Sequence, residues 1–425
     1  MKHRAPRSPV RRSLVAWTAA RIFYAACQWG ILSVLARLTP PSDVGKFGLA
    51  FAVTAPVVML ANMNIGLVQS TDVDGAFCFR EYLGYRVASQ AVALLVISVL
   101  AVFYHDAAVI IVLVGLAKVF ESFCDLSQSY LHLHGRSDLA ARTLVERAAL
   151  SVSAVYLGAR LGGITGGVAA LALAWGLGGA TLLYRIAVME AKQQTPRSIL
   201  PSFDPVRMIA LLRLGLPVGL MSAMGSLRTN TPRYFVESYL GYEALGYFTA
   251  LSYLLVAANV IMQAVSQVVT PRLAELFHSG MRREAISLTR KLFGLGALGA
   301  VALTIGAHFA GSVVLQLLYG EAYSKFSREL TAIISATIFT YIESIGAASV
   351  AAARRFRLHP FIAMVGLGTA FLASYLLVAR FGIMGAVISV MLGSAAEAVL
   401  YLVVCTRPSF GILEPPVAVP DRMGK

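Results

Sequence analysis

Charged and hydrogen-bonding side chains recur at helical spacing inside long apolar stretches of this sequence. Arg21, Tyr24 and Gln28 stand at spacings 0, 3 and 7, so one helix face carries a cation and two hydrogen-bonding groups. Lys118, Glu121 and Asp125 repeat that spacing with Ser122 adjacent, and Asn259, Gln263 and either Ser266 or Gln267 form a third stripe. Arg147 beside Glu146, Arg228, Glu343 beside Ser344, and Glu397 occupy further apolar stretches. A charge within hydrocarbon is costly and normally faces a partner or a watery cavity. Arginine suits two-pronged contact with phosphate oxygens, lysine offers a point charge, and amides and hydroxyls accept or donate beside them. The chemistry these types support is the sheltering of a polar, anionic group in a hydrated groove. Arg21 and Arg228 rank first for such contacts, followed by Lys118 and Arg147.

Each feature also has a plainer use. Lys118 and Glu121 form an i,i+3 pair that can neutralise itself within one helix. Glu146 and Arg147 can pair with neighbouring helices, and Arg21 and Arg228 lie near enough to span ends to reach an interface. The Asn259 and Gln263 stripe can bond helix to helix. Glu121, Asp125, Glu343 and Glu397 are candidates for ion coupling, and Glu343 and Glu397 equally for interhelical hydrogen bonds.

Signals for other chemistry are weaker. Asp72-Val73-Asp74 has the form of a metal-holding carboxylate pair, but three residues with no extramembrane domain around them read as a solvated turn. His132 and His134 beside Arg136 and Asp138 read as a polar loop. The sequence holds no GxSxG, HExxH or phosphate-cradling loop, and Cys27, Cys78, Cys124 and Cys405 are too scattered for a disulfide scaffold or a zinc site. No catalytic residue, metal or cofactor is expected.

The elements that must position these groups follow from composition. With 58% hydrophobic and 13% charged residues and a mean hydropathy of +0.73, the 425 residues lie far from a water-soluble chain. Twelve apolar spans are long enough to cross a hydrocarbon core: 15 to 37, 47 to 68, 85 to 104, 107 to 129, 139 to 160, 164 to 185, 209 to 230, 244 to 266, 292 to 317, 329 to 351, 360 to 379 and 382 to 404. The runs are continuous rather than alternating, which favours helices over barrel strands. An all-α integral membrane bundle is expected.

Lysine and arginine distribution orients it. With the N-terminus inside, 25 of these residues fall in inner connections, Arg80 and Arg86 among them, and eight in outer ones. Both termini are therefore expected in the cytoplasm. The net charge of +15 belongs to this bias, so no nucleic-acid partner is expected. The first span is too long for a secretory signal, and Arg21 interrupts it.

The chain also repeats itself. Gly45-Lys46-Phe47 returns as Gly246-Tyr247-Phe248, and Gly163-Ile164-Thr165-Gly166-Gly167-Val168 as Gly382-Ile383-Met384-Gly385-Ala386-Val387, in the same order. Two six-helix halves follow, related by an axis along the membrane normal. The expected layout is a basic N-terminus at 1–14, a first bundle at 15–185, a linker at 186–208, a second bundle at 209–404 and a tail at 405–425. Pro56 and Pro217 fall within the second and seventh spans and can bend them for rocking of one half against the other.

The stretch Leu35-Ala36-Arg37-Leu38-Thr39-Pro40-Pro41-Ser42-Asp43-Val44-Gly45-Lys46-Phe47-Gly48-Leu49-Ala50, continuing through Pro56 to Asn64-Ile65-Gly66-Leu67, resembles the first loop of bacterial polysaccharide flippases. Leu214-Gly215-Leu216-Pro217-Val218-Gly219-Leu220, Arg233 and Leu245-Gly246-Tyr247-Phe248 are similar to that family's seventh helix and its exit. The family belongs to a superfamily shared with multidrug exporters of the MATE type and lipid II flippases. Many relatives place an acid before the arginine where this chain has Pro232-Arg233, and lipid II flippases tend to carry two more helices than fit here. The resemblance implies a MATE-like flippase of the bacterial inner membrane. It would move polyprenyl-pyrophosphate-linked oligosaccharide units outward by alternating access for exopolysaccharide or lipopolysaccharide synthesis. Membrane lipids, a polysaccharide polymerase and glycosyltransferases are its implied partners. The alternatives are a cation-coupled multidrug exporter of the same fold and a polytopic glycosyltransferase or polymerase. The exporter requires cavity carboxylates that dominate the cations. The enzyme requires a long outer loop or domain, whereas the longest outer connections hold about 13 residues.

Overall fold

The computed structural model describes residues 7–72, 75–191, 199–355 and 357–407, with side chains from residue 16 onward except at 71. All regular structure among them is helical: α1 Arg7–Leu38, α2 Pro41–Asn62, α3 Ile65–Thr71, α4 Phe79–Val102, α5 Ala108–Leu133, α6 Ser137–Ala191, α7 Pro205–His278, α8 Arg282–Tyr319, α9 Glu321–Ser324, α10 Ser327–Ser335, α11 Thr337–Ala352 and α12 Leu358–Thr406. Nine helical stretches among the described residues are long and apolar enough to cross a membrane. Large apolar side chains such as Leu161, Phe309 and Val268 stand exposed on them, as helices bathed in hydrocarbon require. The molecule is a multi-pass membrane protein.

Local chemistry sets several boundaries. Pro41 opens α2 at a position whose N–H would have no helical partner. Asp204 caps α7 by accepting the Val206 N–H at 2.9 Å. Met63 and Asn64 both adopt left-handed backbone, which ends α2 and starts the short α3. The continuous span expected at 47 to 68 is thus two elements. The basic connection expected at 267 to 291 is mostly helical, with α7 running to His278 and α8 starting at Arg282.

Three long helices are interrupted by non-helical glycine: α6 at Gly162 and Gly163, α7 at Gly241 and α12 at Gly382. In α6 and α12 the break is a reversal. A Cβ on Gly158 would lie 2.4 Å from the Gly166 carbonyl oxygen, and one on Gly385 would lie 2.1 Å from that of Leu377. The arms of each hairpin meet backbone to backbone. Water contributes no hydrophobic drive between helices in lipid, so such close packing of small residues supplies the attraction. Ser374 and Ser389 add a buried bond of 3.0 Å across the α12 hairpin, and Trp175 Nε1 donates to Ser151 Oγ at 2.8 Å across that of α6.

By its contacts the chain forms two units, Met1–Ala250 with Leu318–Gly320, and Leu251–Leu317 with Glu321–Lys425. Within the first, α5 is the hub, packed against α2, α3, α4 and α6, while α1 lies along α6. The repeat-related segments meet in this unit. A Cβ on Gly45 would fall 1.9 Å from the Tyr242 carbonyl oxygen, and one on Gly246 would fall 1.9 Å from that of Pro41. In the same unit, Trp29 Nε1 donates to Tyr319 Oη at 2.9 Å. The second unit is built on α11 and α12, with Phe277, Phe293, Tyr341 and Tyr401 in its core.

Candidate functional site

The first unit gathers four of the eight charged candidates, Arg21, Glu121, Asp125 and Arg147, at one cavity of about 480 Å³ between α1, α3, α5 and α6. Because α1 and α5 each repeat polar residues at i, i+3 and i+7, each lays one polar stripe along the opening. Arg21 and Tyr24 come from α1, Glu121, Asp125 and Gln128 from α5, and Arg147 from α6. The left-handed pair Met63 and Asn64 redirects the chain so that Gly66, Leu67 and Ser70 of α3 close one side. A Cβ on Gly66 would stand 2.7 Å from Ser129 Oγ, so glycine lets α3 seat against α5.

The bonds inside the cavity are specific. Tyr24 Oη donates to Glu121 Oε1 at 2.6 Å, and Lys118 Nζ binds Glu121 Oε2 at 2.7 Å. Lys118 also stands 4.8 Å from the centre of the Phe51 ring and 5.5 Å from that of Trp175. Arg147 lies between Tyr24 and Trp175, its Cζ 4.9 and 6.0 Å from the ring centres. Only 3% exposed, Arg147 keeps Nε and Nη1 without a hydrogen-bond acceptor among the described residues. A guanidinium carries five N–H donors in a rigid fork, and a buried charge with unsatisfied donors costs several kcal/mol relative to one that is fully bonded, about 3–5 where a partner is missing outright. Facing aromatic rings offset part of that cost. An anion entering the cavity would supply the missing acceptors.

Behind α5 lies a residue that charge counting misplaced. Arg86, assigned to an inner connection, sits within α4 and is 2% exposed. It donates through Nη1 to Asn62 Oδ1, which also accepts from Gln90 Nε2 at 2.9 Å. The spacing of Arg86 and Gln90, i and i+4 on one helix, was the signal available in the sequence. Arg86, Lys118 and Arg147 all lie within electrostatic reach of Asp125, while the cavity lining itself carries Arg21 and Arg147 against Glu121 and Asp125. Asp125 is exposed into the cavity.

Other expected residues stand elsewhere. Gln28 lies one turn beyond Tyr24 on α1, its Nε2 buried without an acceptor among the described residues. Arg228 is half-buried in α7 and is not part of the cavity lining. Asn259, Gln263, Glu343 and Glu397 belong to the second unit. There Asn259 Oδ1 accepts from Thr340 Oγ1 at 2.7 Å and Ser266 bonds Ser344 at 2.8 Å, which is helix-to-helix bonding. Gln263 is exposed and Glu343 half-buried, while Glu397 is buried against Gly366.

The side motifs have structural roles. Asp72 accepts the N–H groups of Ala76 and Phe77 at 2.8 and 3.0 Å and the Tyr82 hydroxyl at 3.0 Å, which holds its loop; Asp74 lies outside the described residues. His132 pairs with Ser137 and stacks edge-on with Trp17, while His134 bonds the Tyr130 carbonyl. No cluster of three metal-ligating side chains exists among the described residues.

Residues 34–328 match the family model described as polysaccharide biosynthesis protein. The chain belongs to that family. It is similar to the capsular polysaccharide biosynthesis protein CapF of Staphylococcus aureus, with 23% identity over 392 residues, 90% of this chain and 96% of the relative. Its fold is similar to that of an inward-facing multidrug resistance MATE family transporter of the MOP superfamily, with a TM-score of 0.73, 14% identity and coverage of 89% and 93% of the two chains. The inward closed conformation of the lipid II flippase MurJ matches with a TM-score of 0.72 and 13% identity, covering 92% of this chain and 87% of that one. The all-helical, MATE-like architecture read from the apolar spans and from Leu35 to Leu67 is the architecture found.

Proposed function

We propose that this protein carries polyprenyl-pyrophosphate-linked oligosaccharide units across the bacterial inner membrane, from cytoplasmic to outer leaflet. Counting the two arms of each interrupted helix gives twelve crossings, with both termini in the cytoplasm and six-helix halves at 15–185 and 209–404. Transport is by alternating access, and the reciprocal contact of Gly45 and Gly246 is a seam that opens and closes. The chain acts as a transporter rather than an enzyme, and a polymerase and glycosyltransferases are its partners in the pathway.

The observation that carries this reading is the buried guanidinium of Arg147, set against two rings with two nitrogens lacking acceptors among the described residues. Pyrophosphate oxygens match that fork, and Arg21 at the cavity edge and Lys118 beside Glu121 add positive charge along the path. Tyr24, Gln28 and Gln128 offer hydrogen bonds to the sugar-phosphate junction. Glu121 and Asp125 are the carboxylates placed to exchange an ion during the cycle. Arg228, Gln263 and Glu343 are kept as further candidate contacts, each within its own unit, whereas Asn259 bonds helix to helix and Glu397 is buried against Gly366. Membership of a polysaccharide biosynthesis family and the fold shared with a lipid II flippase support the same substrate class. The lining balances Arg21 and Arg147 against Glu121 and Asp125, without the carboxylate excess that the cationic drugs of a multidrug exporter would require.

The test is outward flipping of a fluorescent farnesyl-pyrophosphate-linked saccharide in liposomes holding the purified protein. Wild-type protein should flip it. Loss of a charge-assisted hydrogen bond, worth about 1.5–3 kcal/mol, should slow Arg147→Gln by about 10- to 150-fold. Equal rates in the two proteins would overturn the assignment of Arg147.

A further inference from the structure

A second cavity in the first unit, about 780 Å³ in volume, lies between α3, α4, the end of α5 and the end of α6. It falls within the range of about 300–1,000 Å³ usual for small-molecule sites. Its chemistry differs from that of the charged cavity. Tyr82 and Tyr130 are both buried, with hydroxyls bonded to Asp72 and to Glu190, so each ring is held beside a carboxylate. Phe79 and His134 pack on Tyr130, with ring centres 4.8 and 4.0 Å away. Gln69, 1% exposed, has its Oε1 without a donor among the described residues. Arg80 stands exposed at the edge.

Aromatic rings fixed among carboxylate and amide acceptors do not suit an anion. They suit a neutral ligand with many O–H donors and apolar C–H faces, which is the chemistry of a saccharide. The two cavities also share a wall. Gln69 and Tyr130 line one, while their chain neighbours Ser70 and Ser129 line the other, on adjoining faces of α3 and α5.

We infer that the cavity bounded by Gln69, Asp72, Tyr82, Tyr130 and Glu190 is a saccharide-binding site. This deepens the proposed transport reading and rests on it only for the source of the sugar, which is either the oligosaccharide borne by the lipid or a free saccharide. The Gln69 amide oxygen and the Glu190 carboxylate accept sugar hydroxyls, and the tyrosine rings face the C–H surface.

Cys78 provides a native probe, because it is exposed and lines the cavity, whereas Cys124 and Cys405 are buried. In the full-length Cys27→Ser protein, the rate of Cys78 labelling by a maleimide is measured with a panel of free hexoses and N-acetylhexosamines. It is measured again with farnesyl pyrophosphate bearing or lacking N-acetylglucosamine. At least one saccharide should slow labelling. Gln69→Leu and the isosteric Glu190→Gln should each raise the concentration needed by about 3- to 10-fold, the worth of one hydrogen bond. Protection by a free sugar identifies a site open to soluble saccharides. Protection by the sugar-bearing lipid alone, and not by bare farnesyl pyrophosphate, identifies the carried oligosaccharide. No protection by any saccharide, or protection unchanged in both Gln69→Leu and Glu190→Gln, overturns the inference. Flipping by the wild-type protein is scored separately, so flipping with an unresponsive Cys78 refutes the saccharide site alone, and absent flipping refutes the transport reading.

Discussion

Replacing Gly45 by alanine puts a methyl carbon 1.9 Å from the Tyr242 carbonyl oxygen, where ordinary contact begins at 3.4 Å. The obstacle is backbone, so no side-chain rotation relieves it, and the two segments must part by about 1.5 Å. Overpacking of this kind costs about 1–3 kcal/mol, and the cost falls only on the state in which the seam is shut. The equilibrium should therefore move about 5- to 150-fold toward the parted state. Thr249 reports on it: the residue is fully buried, with Oγ1 lacking a partner among the described residues, and a Cβ on Gly48 would meet that oxygen at 2.1 Å. A Thr249→Cys probe, in a chain with Cys27, Cys78, Cys124 and Cys405 replaced, is labelled by maleimide in proportion to the parted population. Labelling should accelerate by that factor in Gly45→Ala, and likewise in Gly246→Ala, whose Cβ would meet the Pro41 carbonyl. Gly30→Ala is the control, since nothing lies within 4 Å of a Cβ there. Equal labelling in Gly45→Ala and Gly30→Ala would refute the reasoning that this seam is tight and opens.

Three further outcomes are expected. Glu121→Gln removes the carboxylate that binds both Tyr24 and Lys118 and should lower stability by about 1–2 kcal/mol, read as a lower melting temperature in detergent; an unchanged melt would show that the pair contributes nothing. Trp175→Phe forfeits the bond to Ser151 Oγ and should cost about 1 kcal/mol by the same measurement, with Ser151→Ala in the Phe background adding little. Gly158→Ala drives a methyl group into the Gly166 carbonyl and should destabilise the α6 hairpin by about 1–3 kcal/mol, whereas Gly162→Ala, with open space around it, should not.

Much of this architecture was legible because lipid imposes a simple requirement, namely long apolar helices, and the spans could be read directly. What misled was continuity. The sequence from 47 to 68 is mostly apolar, yet Met63 and Asn64 turn left-handed; asparagine favours that backbone, but methionine beside it does not, and the surrounding apolar run masks the break. The polar stripes on α1 and α5 were visible as i, i+3, i+7 spacing, and the fold brings Arg21, Tyr24, Glu121, Asp125 and Arg147 to one opening. Arg228 and the Asn259 stripe share that chemistry but not that cavity, because helical spacing fixes a face and not the neighbour it meets. Arg86 was read as a loop cation because it sits near the start of an apolar run, where a long basic side chain can reach water. In the fold Asn62 draws it inward, and no spacing within α4 could identify a partner on α2.

The most direct test of the central claim is the affinity of the purified protein for farnesyl pyrophosphate, measured by titration calorimetry on wild type and Arg147→Gln at two salt concentrations. The expected result is binding weakened at least about tenfold in the variant, with a smaller salt dependence and an unaltered circular dichroism spectrum. Equal affinity in the two proteins at both salt concentrations would contradict the claim that the buried guanidinium holds the pyrophosphate.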